Sequence, residues 1–359
     1  MRSIASIILL FAAFSAHAVA IDRPRMRPSP YFGSISGINH ADLSDLGRHN
    51  YDSFLGEKNP LIYTAKAGYI DIGHLRESAD RTRYLFEICN KNITKKNKRF
   101  SYKVVEKAIY KVTLEYPDHW DKLSDDKQQA ISREISIDLG QHLAQQSTIW
   151  HEIVTWYGYS SVGLFSEKPS SFSWEDTYSD LLGTKLAAMV LRENPKSYNE
   201  AMEEVISREL AKLSPQSAET AQKVTKLIKG EWYSGKYPFV TMKKRNFDVG
   251  FEDQAISPFR VPGVYSEVQE QVCTVPSLDS LDTYGFKMHL QMKPKESQKK
   301  QILKIAYPDK KGVVLKPAIH FPAIIAHIRQ EAIREVGQDV DSPTFKNSVP
   351  PTIALSKAY

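Results

Sequence analysis

The stretch SDDKQQAISREISIDLGQHLAQQSTIWHEIVTWY, residues 124–157, decides the fold class. Its apolar residues Ile131, Ile135, Leu139, Leu143, Trp150, Val154 and Tyr157 recur at three- and four-residue steps, the period of one face of an α-helix. The spacing predicts one long helix, with a break expected near Gln145 to Thr148, where polar residues interrupt the stripe. Working upstream, Leu75, Ala79, Thr82, Leu85, Cys89 and Ile93 repeat the same period. Downstream come three helix starts: Ser173 with Asp176, Ser197 with Glu200, and Ser214 with Pro215 at the first helical position. The last of these helices stops before Gly230.

Strands are fewer. Leu61 to Ile72 alternates as a strand and hands over at Gly73 to a helix, while residues 103 to 116 fit both periods. Phe286, Met288, Leu290 and Met292 alternate with polar residues, and a final helix is expected over Pro322 to Val336. The chain reads as mainly α with a smaller β component, an α+β arrangement. A helical core over 61–283 precedes a small strand-containing C-terminal region over 284–337. Residues 21–60, rich in Pro, Gly, Ser and Asn, read as an extended N-terminal arm, and 338–359 as an extended tail.

Arg2, the apolar run Ile4 to Phe14 and the small residues Ala16, Ala18 and Ala20 spell a secretory signal peptide over residues 1–20. The run is too short to span a bilayer, and cleavage after Ala18 or Ala20 exposes no Cys for lipidation. The expectation is a periplasmic or secreted protein without a transmembrane segment in its mature form. The remaining length suffices for a large core. A net charge of +6 is mild, and no aromatic interleaving argues for nucleic acid. The lysines from 293 to 316 read as a solvated face that could touch anionic lipid or polymer. Cys89 and Cys273 are the only cysteines, and either pair or stay buried and free.

Three segments carry the chemistry: Gly73-His74 with Glu77 and Asp80, His151-Glu152, and Glu175-Asp176 with Asp180. The His-Glu-x-x-His pattern of zinc peptidases is incomplete, because Thr155 stands four residues after His151. His74 falls at a strand-to-helix junction, with Asp71 beside it as ligand or orienting acceptor. Taken alone, Arg76, Glu77, Asp80 and Arg81 read as solvated pairs on the helix surface. Asp176 and Asp180 share a face one turn apart and repel unless a cation intervenes. No Gly-rich phosphate loop or nucleophile elbow appears.

The segments AGYIDIGHLRESADRT, HEIVTWYGYSS and SFSWEDTYSDLLGTKLA resemble those of an exported bacterial family catalogued as domain of unknown function 4056, over roughly residues 60 to 265. The likeness falls on His74, Arg76, Glu152, Thr155, Trp156, Tyr157, Gly158, Glu175, Asp176, Tyr178 and Gly183. The family accepts Asn at the Asp180 position, so the resemblance implies no obligatory carboxylate there. It implies export, a mainly α fold and a single site built from the three segments, and it supplies no activity.

Together these readings lead to a metal-dependent hydrolase of the cell envelope. His74, His151 and Glu175 or Asp176 would hold a divalent cation such as zinc, and Glu152 would act as general base. The competing expectation is a non-catalytic periplasmic structural or binding protein, partnered by an envelope component or a peptide, whose polar residues form a buried network.

Overall fold

The computed structural model describes residues 23–28, 30, 38–160, 166–235, 240–309 and 311–345. The leader expected over 1–20 lies outside them. The stretch 61–72 is a hairpin rather than one strand: β1 (Leu61–Thr64) folds back on β2 (Gly68–Asp71), with Gly68 at φ +67°. That left-handed conformation favours glycine and makes the turn. α1 (Ile72–Thr94) follows with no loop, capped by Asp71.

β3 (Arg99–Tyr102) precedes the ambiguous stretch, whose residues 109–115 form the strand β4 (Ile109–Glu115), with Tyr110, Val112 and Leu114 buried in alternation, while 103–108 connect the two strands. α2 (Asp125–Trp156) then runs unbroken. The break expected near Gln145 to Thr148 does not form, because Ser147 and Thr148 donate their hydroxyls to the carbonyls of Ala144 and Gln145 at 2.7 and 2.9 Å. The polar group is absorbed by the helix itself.

α3 (Asp176–Glu193) starts after Glu175 rather than at Ser173, and the Ser173 carbonyl instead accepts the Asp176 N–H at 3.2 Å in the preceding turn. α4 (Tyr198–Ala211) begins as its sequence indicates, Ser197 accepting from the Glu200 N–H. α5 (Ala218–Ile228) is capped by Ser217, not opened by Ser214-Pro215, since Ser214 lies at φ +58° and Pro215 bridges to Thr64.

Beyond α5 come the two-residue strands β5 (Tyr233–Ser234), β6 (Thr241–Met242), β7 (Ala255–Ile256) and β8 (Cys273–Thr274), then α6 (Asp279–Tyr284). β9 (Lys287–Lys293) pairs antiparallel with β4 and completes a sheet of order β3-β4-β9. α7 (Lys299–Ala306) and α8 (Pro317–Val336) close the described chain, α8 beginning five residues before the expected Pro322, which sits inside it. The architecture is α+β, with a helical core and a later strand-containing region.

α1 is the centre of the fold, packed against both α2 and α3. Two glycines permit this. A Cβ at Gly140 of α2 would stand 2.8 Å from the Phe86 N, and one at Gly183 of α3 only 2.0 Å from the Leu75 carbonyl oxygen. The crossings therefore bring backbone against backbone. Apolar side chains fill the space on either side: one cluster joins α1, α2, the sheet and α8, and another joins the hairpin, α1, α3 and α4. Cys89 lies in the first and Cys273 in the second, both buried and free. Among the described residues no helix is long and apolar enough to cross a membrane.

Candidate metal centre

The close approach at Gly183 lays the first turns of α3 on the first turns of α1. Asp71 ends β2 and accepts the His74 N–H at 3.0 Å, while its own N–H donates to Ser179 Oγ of α3 at 2.9 Å. His74 then lies between the two aspartates of α3, with Nε2 3.6 Å from Asp176 Oδ1 and Nδ1 3.5 Å from Asp180 Oδ1. The Ser78 hydroxyl donates to Asp180 Oδ1. The repulsion expected of an Asp pair one turn apart is thus relieved by an imidazole. One ligand atom each from Asp71, His74 and Asp176 falls within 4.8 Å of the others, a separation from which two carboxylates and an imidazole could converge on one cation.

Charge in this cluster is lopsided. Burial would lower the His74 pKa, but Asp176, Asp180 and Asp71 overcome it and raise that pKa well above 6.5. Burial pushes the Asp176 carboxyl well above its ordinary range, with Glu175, Glu152 and Asp71 adding repulsion that His74 only partly offsets. Asp71 and Glu152 are raised by burial too. Glu152 projects from α2 toward the same place: its carboxylate accepts the Phe172 N–H and feels the charges of His151, His74 and Asp180. The His74 side chain keeps 30% of its surface open, so the cluster is reachable from solvent.

His151 lies in an adjoining network with Glu106. Its Nδ1 is 2.9 Å from Glu106 Oε1, and Glu106 also holds Arg81 at 3.2 Å. Arg81 reaches back to Glu77 at 2.7 Å. Burial lowers the His151 pKa, but the hydrogen bond and charge of Glu106 carry it up to about 9. Glu106, against the cost of its own burial, is held down to about 2 by Arg81 and His151.

On the far side of α1 the carboxylate of Asp80 joins Arg27 at 2.8 Å and His49 at 3.0 Å, and Arg27 also pairs with Glu57 at 3.0 Å. Arg76, Asp80 and Arg81 are therefore buried, not the solvated pairs the helix pattern indicated. The N-terminal arm is pinned to α1 through Arg27.

Of the residues singled out from sequence, His74 and Asp176 meet in the cluster, with Asp71 as the third donor and Glu152 beside it. Glu175 stands at the N-cap position of α3 next to Asp176, and His151 sits in the adjoining Glu106 network. Glu106 and Arg245 were not legible. Arg245 is buried, donates to the Ser171, Pro169 and Met242 carbonyls, and places its charge near Glu152 and Asp176. Neither belongs to a spacing pattern, and Glu106 lies in the stretch whose period was ambiguous.

Residues 33–257 match the model of a family described as a protein of unknown function (DUF4056). No curated protein and no solved structure matches the chain.

Proposed function

Starting from the fact that the chain belongs to this family of unknown function, DUF4056, we propose that it is a divalent-cation-dependent hydrolase acting on a component of the cell envelope. Asp71, His74 and Asp176 would hold the ion, with zinc among the metals such an O,O,N set accommodates. Glu152 would serve as general base on the water the ion activates. A carboxyl whose pKa is raised by burial is suited to taking a proton near neutral pH.

The observation that carries this reading is the convergence of Asp71, His74 and Asp176 from two elements far apart in sequence, in a pocket of charge with more carboxylates than cations. His151 leaves the ligand set in this proposal because Glu106 already engages it. Glu175 stays a neighbour that adds negative charge. The envelope substrate rests on the apolar leader read at residues 1–20.

The test is elemental mass spectrometry of the purified protein, followed by calorimetric titration of the stripped protein with zinc and manganese. Near-stoichiometric metal, lost in folded His74→Ala and Asp176→Asn variants, would support the centre. A metal-free protein that binds neither ion while remaining folded would sink it and leave a buried polar network as the role of these residues.

A further inference from the structure

The charge of +6 is not spread along the chain. Residues 287–316 carry nine lysines against Glu296 and Asp309, a net of +7, which leaves the rest of the chain at −1. Glu296 does not offset this at the surface. It is buried, and its carboxylate accepts the Ala108 N–H at 2.7 Å and the Trp150 Nε1–H at 3.3 Å. Among the described residues, no lysine from 293 to 316 pairs with a carboxylate, and Lys287 comes only to 3.9 Å from Glu115.

These lysines also sit where helices disfavour them. Lys299 and Lys300 open α7, and Lys316 is the N-cap of α8, in both cases with no acid in the first turn. Positive charge at a helix N-terminus opposes the dipole, so their placement does not serve helix stability.

The same corner displays apolar side chains. Val313 is 61% and Ile319 63% exposed, two of the most exposed large hydrophobics among the described residues. Contacts hold the parts of the corner together. Leu315 exchanges backbone hydrogen bonds with Met292 at 2.7 and 2.8 Å, the Tyr307 ring lies 4.8 Å from the His320 ring, and the Tyr307 hydroxyl donates to the Val314 carbonyl. The end of β9, the C-terminal end of α7, residues 311–316 and the start of α8 thus form one surface, on which Lys293, Lys311 and Lys316 are exposed beside Val313 and Ile319. It lies outside the family match over 33–257.

We propose that this corner docks on an anionic lipid bilayer, its lysines against the headgroups and Val313 and Ile319 in the interface. Lysines alone would suit any polyanion, but exposed Val and Ile among them suit a surface that offers both negative charge and an apolar layer. Lipid docking at this corner involves none of Asp71, His74 and Asp176 and is independent of the hydrolase reading.

Co-sedimentation with vesicles tests it, using the processed chain with its N-terminus read by mass spectrometry. Vesicles of phosphatidylcholine alone are compared with vesicles that also contain phosphatidylglycerol, at low and high salt. Binding roughly tenfold tighter to the anionic vesicles, weakened by salt, is expected from a few lysines at the surface. Lys293→Glu with Lys311→Glu and Lys316→Glu should abolish it. Val313→Ser with Ile319→Ser should weaken it about fivefold and leave binding to heparin unchanged. The variants alter side chains at the surface, and their melting curves verify folding. Equal binding to both vesicles overturns the proposal, and so does a Val313→Ser, Ile319→Ser protein that binds anionic vesicles as the wild type does. The latter result would assign the lysines to a soluble polyanion.

Discussion

His74 Nε2 of α1 stands 3.6 Å from Asp176 Oδ1 of α3, and that distance exists only because Gly183 lets the two helices touch backbone to backbone. Adding one methyl group at Gly183 would set a Cβ 2.0 Å from the Leu75 carbonyl oxygen, a rigid atom that cannot rotate away. Gly183→Ala should therefore force the helices apart and cost about 3 kcal/mol by overpacking. The same shift should lower the zinc affinity of the proposed centre although none of its three donor residues has changed. Thermal melting and calorimetry check the two effects, and an unchanged melting temperature would refute the crossing argument.

Asp176 and Asp180 face one imidazole but differ in their partners. Asp180 Oδ1 accepts from Ser78, a bond that an Asn oxygen can keep, whereas Asp176 belongs to the three-donor group. Asp180→Asn should leave zinc affinity within about threefold, while Asp176→Asn should lower it by tenfold or more, the scale seen even for indirect partners of a ligand. Calorimetric titration of both variants decides the matter. Equal losses would move the ligand assignment to include Asp180.

The His151–Glu106 pair makes stability depend on pH in a defined window. Burial works against the charged His151, yet Glu106 holds its pKa near 9, above the ordinary 6.5. Its contribution is therefore complete below pH 6.5 and lost as pH rises through 9. Glu106 is held near 2, below its ordinary 4.5, so its contribution is complete above 4.5 and lost as pH falls through 2. The groups facing His151 are Glu106, Glu152, Arg81 and the ring of Tyr159. His151→Gln should remove about 1–3 kcal/mol at pH 6 and much less at pH 9.5. Urea unfolding at the two pH values measures the difference, and a penalty independent of pH would contradict the charged pair.

α2 was legible because Ile135, Leu139 and Leu143 face one buried side at a helical period, and α4 because Ser197 and Glu200 mark its start, signals that need no tertiary knowledge. His74 was legible as a junction residue, since Gly73 separates an alternating run from a helical one. What failed were features set by tertiary contact. The charged residues of α1 read as solvated because i,i+4 pairs on a helix with a single apolar stripe usually are. Instead the N-terminal arm, α2 and α3 surround this helix, and Asp80 and Arg81 are buried. Glu106 could not be assigned to His151 because 45 residues separate them and no local period links the two. The hairpin turn at Gly68 left only that glycine as its mark.

Arg27 supplies the last prediction, on how the arm is fastened. Its side chain is fully buried between Asp80 at 2.8 Å and Glu57 at 3.0 Å. Removing one member of a buried ion pair leaves the other charge without water or partner, which costs about 3–5 kcal/mol, much more than the intact pair contributes. Asp80 would retain His49 at 3.0 Å, and Glu57 would retain Arg25 and the Asn50 N–H, so Arg27→Met should fall at the lower end, about 3 kcal/mol. Replacing Asp80 by Asn in the same protein should then cost little more, because the guanidinium that Asp80 balanced is already gone. A double-mutant cycle in urea measures this coupling, and additive losses would show that Arg27 acts through packing of its stem rather than through Asp80.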